Sequence, residues 1–214
     1  MYGSAIDYTE LAAATFGYGL QSPVLHRACT NMMQGLLAAV RELTLRGYRR
    51  IGLAITEWID ARVDHAYSGS LLYYQQRVPL RERVPLLILT ENNPAHGRRA
   101  FGTWVRKHHP DVIISFHTYV PDWLGEDLNL RIPDDIGLVV HDWTAGMGDF
   151  AGINHCRALV AAAAVDLVVT QLMQNERGIP AVPRQVLVPP TWISGPSIRE
   201  PAMATPPLED RVKN

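Results

Sequence analysis

Residues 31–55, NMMQGLLAAVRELTLRGYRRIGLAI, read without interruption as a helix, a stop and a buried strand. Asn31 with Gln34 three residues later resembles a capping box, in which short polar side chains take the first orphan backbone donors of a helix. Met33, Leu36, Leu37, Val40 and Leu43 then recur on one face at helical spacing. Gly47 stands where a helix ends in the left-handed region. RRIGLAI, residues 49–55, turns apolar without polar alternation, the pattern of a strand covered on both faces.

The same grammar extends in both directions. Upstream, LAAATFGYG (11–19) reads as an apolar strand closed by glycines, with a loop before Asn31. Downstream, a helix is expected from Asp60 with Val63, Ala66, Tyr67, Leu71 and Tyr74 as its buried stripe. VPLLIL (84–89) is a strand, and the stretch after Pro94 is a helix burying Ala100, Phe101, Trp104 and Val105. Arg106, Lys107 and His108 fill its last turn, where positive charge suits the helix dipole. VIISF (112–116), a short helix with Trp123 and Leu124, IGLVVH (136–141), a helix over 155–176 and QVLVP (185–189) complete the series. Strands alternating with helices define an α/β protein of parallel sheets flanked by helices. From Gly195 the chain turns proline-rich and polar, so 196–214 is expected to be a flexible tail.

Only two strands and one helix precede the second helix, too little to cover both apolar faces of a parallel sheet. The expectation is that the late helix and strand return to that lobe and that residues N-terminal to Met1 complete it.

Composition narrows the function classes. At 47% hydrophobic and 19% charged, the 214 residues can bury a real core. The formal net charge of −1 speaks against nucleic acid as the partner of this segment. LVAAAAVDLVV (159–169) is too short to cross a bilayer and is interrupted by Asp166, so no membrane partner is expected. MYGSAIDYTE lacks the basic and apolar regions of an export signal. Cys29 and Cys156 do not make a disulfide framework, which fits a cytoplasmic protein.

Several segments together carry a resemblance. RELTLRGYRRIGLAI (41–55), Gly69, HPDVIISF (109–116), RIPDDIGLVVHD (131–142), FAGINH (150–155) and AVDLVVTQLMQNERGIP (164–180) occur in the order and at the distances seen in the lac repressor/galactose repressor family of transcriptional regulators. FAGINH and the terminal WISG, in place of the usual Arg-x-Ser/Thr, resemble an atypical branch. The resemblance implies a two-lobed, periplasmic-binding-protein-like (type I) fold. It assigns 1–56 and 155–180 to an incomplete first lobe, and 57–154 and 184–195 to the second. It further implies a small sugar-like effector, a homodimer, and operator DNA reached only through a helix-turn-helix head with no counterpart here. No cofactor or metal is implied.

In parallel sheets, ligands bind beyond the carboxyl ends of the strands. Those ends present Tyr18, then Thr56-Glu57-Trp58, His117-Thr118 and His141-Asp142-Trp143. Carboxylate, imidazole and indole in one cleft suit a polyol, whose hydroxyls pair with the carboxylate while a ring covers its apolar face. By the resemblance, Asp142 matches the family's effector-contacting aspartate, and His117-Thr118 replaces an Asn-Asp pair. Arg62 lies one turn before the position of the family's effector arginine, which counting back from Gly69 assigns to Ala66. The candidate ligand set is Asp142, His117, Trp143, Trp58, Arg62 and Tyr18, with a loop cap as the alternative for Asp142, a satisfied loop histidine for His117, a solvated helix-end arginine for Arg62 and packing for both tryptophans. A transporter's solute-binding protein and a small α/β enzyme are the competing classes. The sequence has no G-x-S-x-G, P-loop or H-E-x-x-H motif to support catalysis.

Overall fold

In the computed structural model, residues 5–90 and 94–201 are described. Two sheets divide the chain. Strands β1 (Ala14–Phe16), β2 (His26–Thr30) and β8 (Gln185–Val188) form a parallel three-stranded sheet in the order β1-β2-β8. Strands β3 (Ile51–Thr56), β4 (Leu87–Leu89), β5 (Val112–Ser115), β6 (Gly137–Val140), β7 (Ala151–Asn154) and β9 (Thr191–Ile193) form a six-stranded sheet in the order β4-β3-β5-β6-β7-β9. Its pairings are parallel except β7 with β9.

The decisive stretch folds as read. Helix α1 (Met32–Leu45) is capped by Asn31, whose side chain accepts the Gln34 N–H at 3.0 Å, and Gly47 sits at φ +82. The buried face differs slightly: Gly35, Leu36, Ala39, Val40 and Leu43 point inward, while Met33 is 49% exposed. Side chains of a strand alternate between faces, and the large sheet uses both. Ile51, Leu53, Ile55, Val112, Ile114 and Val139 pack beneath α1 and α3 (Ala66–Gln75). Ala54, Ile113 and Leu138 face Phe101 and Trp104 of α4 (Pro94–His108). Val120 of α5 (Val120–Asp122), with Trp123 and Leu124 of the π-turn that continues it, completes that side. The small sheet is covered by α6 (Arg157–Met173) through Val160 and Leu167 against Ala28.

Several expectations need correction. Strands β2, β7 and β9 lie where the sequence reading has none; each is short, and His26-Arg27 hides the apolar signal of β2. The division at 56/57 is not the division between the sheets. α1 packs on α3, β7 and β9, and β3 is a central strand of the large sheet, so 31–56 lie with the second sheet. β8 joins the first sheet and β9 the second. The helix expected from Asp60 is two helices, α2 (Glu57–Arg62) and α3. Between them Asp64 and His65 adopt φ of 53° and 58°. The cause is local. Buried Asp60 accepts the Ser68 N–H at 3.2 Å and meets His65 Nδ1 at 3.1 Å, so its carboxylate closes the turn. The expected tail is docked at its start. Ser197 Oγ donates to Leu138 O (2.6 Å) and accepts from Ala151 N (2.8 Å), with Ile198 buried beside it. Residues 202–214 of that tail lie outside the described residues.

Candidate functional site

Three segments cross between the sheets: Thr30 to Met32, Asn154 to Arg157, and Val188 to Thr191. They are bonded to one another. Thr30 Oγ1 donates to His155 O (2.8 Å), Asn31 N donates to Val188 O (2.9 Å), and Cys156 Sγ lies 3.6 Å from Thr191 Oγ1. Above them a cavity of about 320 Å³ opens between the two sheets, at the carboxyl ends of their strands. Phe16, Gly17, Tyr18 and Gly19 line it from the small sheet. Trp58, Ile59, Arg62, Tyr67, Phe116 and Asp142 line it from the large one, and Thr30, Met32, His155, Arg157 and Val160 from the crossing region.

Asp142 follows directly on β6. Arg157, the first residue of α6, binds both its carboxylate oxygens through one nitrogen, at 2.7 and 2.6 Å. The carboxylate keeps lone pairs beyond those two contacts. His155 Nδ1 stands 3.8 Å from Asp142, and His155 Nε2 is 3.3 Å from Nδ1 of the fully buried His141. His141 stacks on Phe116 at 4.7 Å and takes the edge of Tyr67 at 4.6 Å. Burial pushes His141 well below the usual imidazole value, and the neighbouring His155 adds to the effect. His155 is pushed down by burial and partly restored by Asp142. Both are therefore neutral near pH 7. Tyr67 donates to Met32 Sδ at 3.0 Å, and burial raises its hydroxyl far above the ordinary tyrosine value. Burial likewise raises Tyr18, beside the Cys29 thiol.

Four of the six candidate residues meet here: Asp142, Tyr18, Trp58 and Arg62. Arg62 lies over the Trp58 ring at 4.3 Å, an attractive cation–π geometry. His117 and Trp143 do not line the cavity, and the two-residue alternation of extended chain explains both. Phe116 faces inward, so His117 turns to stack on Tyr119 at 4.8 Å. Asp142 faces inward, so Trp143 turns away and its indole N–H closes the following loop on Met147 O and Phe150 O, both at 3.0 Å. Sequence reasoning missed Arg157, His155 and Tyr67. Arg157 was within reach of such reasoning as a cation opening a helix just after FAGINH; nothing local marks Tyr67. Cys29 receives the Gln185 amide at 3.1 Å, and Cys156 contacts Asn154 and Thr191, so neither cysteine is paired with a histidine among the described residues. There, too, no three His, Cys, Asp or Glu side chains converge as a metal site, and no helix is long and apolar enough to cross a membrane.

Two α/β layers joined by three crossings, with a cleft at the carboxyl strand ends, define the periplasmic-binding-protein-like architecture. Solved structures share it. A LacI-family transcriptional regulator from Enterococcus faecium with bound ribose superposes with a TM-score of 0.62 at 14% identity, over 88% of this chain and 70% of that one. The complex of transcriptional regulator CelR with cellobiose gives 0.61 at 14% identity, over 86% and 58%. A LacI regulator from a Rhodococcus species gives 0.63 at 16% identity, over 88% and 71%. The chain thus has the fold of LacI-family regulators and spans between 58% and 71% of the length of these three. No family model and no curated protein matches the sequence.

Proposed function

We propose that this chain is the ligand-sensing part of a DNA-binding transcriptional regulator, and that a small, polar, sugar-like molecule bridges its two sheets. The observation that carries the reading is Asp142, held by Arg157 at the mouth of the inter-sheet cavity and beside aromatic walls from both sheets. A preset carboxylate accepts paired hydroxyls, and Phe16, Trp58 and Phe116 offer faces to the carbon skeleton. Two neighbours of the same fold hold ribose and cellobiose, which favours a sugar over other polar metabolites. The ligand must prefer one inter-sheet angle over another, since equal affinity shifts nothing. The changed angle would reach operator DNA through a head domain, in the cytoplasm. The exposed ridge of Val165, Val169 and Leu172 on α6 supports a homodimer formed through the small-sheet side. In this reading the site binds and does not transform.

Thermal unfolding of the chain against a panel of pentoses, hexoses and disaccharides tests it. A ligand at a hundred times its Kd stabilises by about 2.7 kcal/mol, a shift of several degrees for a chain of this size. Asp142→Ala should melt like the wild type without ligand and lose the shift with it. Turnover of a panel member, abolished by a change at Asp142 or His155, would replace this reading with an enzymatic one.

A further inference from the structure

Arg62 is the uncompensated charge of the cavity. Its Nε is buried and has no hydrogen-bond partner, and no ion pair of Arg62 is found among the described residues. The buried acid of its own helix and the carboxylate of the cavity are engaged elsewhere. Asp60 is used by Ser68 N–H and His65 Nδ1, and Asp142 by Arg157. With Arg62 and Arg157 set against Asp142 alone, the charged side chains lining the cavity sum to one positive charge, in a chain whose formal net charge is −1. A guanidinium Nε buried beside Trp58 without an acceptor is costly to keep so. The Trp58 ring, with Arg62 Cζ 4.3 Å from its centroid, attracts the charge but offers Nε no acceptor in the plane of the guanidinium. The guanidinium N–H donors form a planar fork that matches the two oxygens of a carboxylate or phosphate.

We infer that the effector is an anionic sugar derivative, whose carboxylate or phosphate docks on Arg62 while its hydroxyls reach Asp142. This rests on the cavity being the effector site, as proposed above. A cavity of about 320 Å³ is at the small end of ligand clefts, which favours a monosaccharide derivative over a larger glycoside.

Calorimetry on the full chain decides it with matched compounds: ribose against ribonate and ribose 5-phosphate, and glucose against glucuronate and glucose 6-phosphate. At least one acid should bind about tenfold or more tighter than its neutral parent, as expected for a charge-assisted pair. The carboxylate and phosphate arms show which acid is preferred. Arg62→Gln should weaken the acid about tenfold or more beyond its effect on the neutral parent, closing the gap between the two, and Arg62→Lys, which keeps the charge without the fork, should fall between. Neutral parents binding as tightly as their acids, with Asp142→Ala abolishing both, would overturn the anion inference and leave the cleft reading standing. Absence of saturable binding across the panel, or binding indifferent to Asp142→Ala, would overturn both.

Discussion

The two sheets are assembled from the same strand and helix units and share one cleft, yet they differ in cover. The six-stranded sheet has helices on both faces, and Leu53, Ile55, Ile113 and Ile114 are fully buried. Among the described residues, the three-stranded sheet packs on α6 through a small buried apolar cluster of Ala28, Val160 and Leu167. Around it, Phe16, Val186, Leu187, Leu172 and Met173 stand between 38% and 83% exposed. The large layer therefore buries far more apolar surface than the small one. In the proposed reading, Asp142 and Phe116 would then be binding groups on the better-covered layer, and the other layer would be the one to change its angle.

The largest effect that sharpens this contrast is a core truncation. Leu53→Ala should cost about 3–4 kcal/mol in denaturant unfolding, whereas Leu172→Ala on α6 should stay within about 0.5 kcal/mol. Equal losses would mean that the α6 ridge is buried in the assembly that unfolds. Next comes Gly152→Ala in β7. Its Cβ would sit 2.4 Å from the Val140 carbonyl and 2.7 Å from Trp143 Cβ, so the loop carrying Asp142 must shift. About 2 kcal/mol of destabilisation is expected, with weakened ligand binding. Ser197→Ala should cost about 1–2 kcal/mol, because Leu138 O and Ala151 N lose their shared hydroxyl. A last effect, graded by pH, lies at the seam between the sheets. His141 and His155 are held neutral with depressed values, so below about pH 6.5 the unfolded chain binds protons that the folded chain refuses. Stability should therefore fall as pH drops below that value, by at most about 1.4 kcal/mol per pH unit for each group. His141→Phe should flatten the slope; an unchanged slope would show that the titration lies elsewhere.

Much of the large layer was legible because its strands are doubly covered and read as apolar runs, and because Asn31 and Gly47 mark the ends of α1. In the small layer β1, β8 and α6 were legible too, and its central strand β2 was not. β2 is buried but begins His26-Arg27, two polar residues satisfied by partners a local reading does not see: His26 by Glu176 and Arg184, and Arg27 by Leu20 O. The resemblance placed β3 in the first lobe with the strand at 11–19, whereas its partners are β4 and β5, both later in sequence. At the site, strand ends announced Asp142, but the alternation that faces it inward removes Trp143. Arg157 and Tyr67 reach the cavity only through tertiary packing. The turn at Asp64-His65 was invisible because a buried side chain, Asp60, creates it.

The central claim is that a small polar ligand is held by both layers at once. Hydrogen exchange of the full chain, with and without the tightest binder of the sugar and sugar-acid panel, measures this directly. The account requires protection to rise together at 16–19, 57–62 and 142–157, on both sides of the cleft. Protection confined to one sheet, or appearing on the outer face of α4, would contradict it.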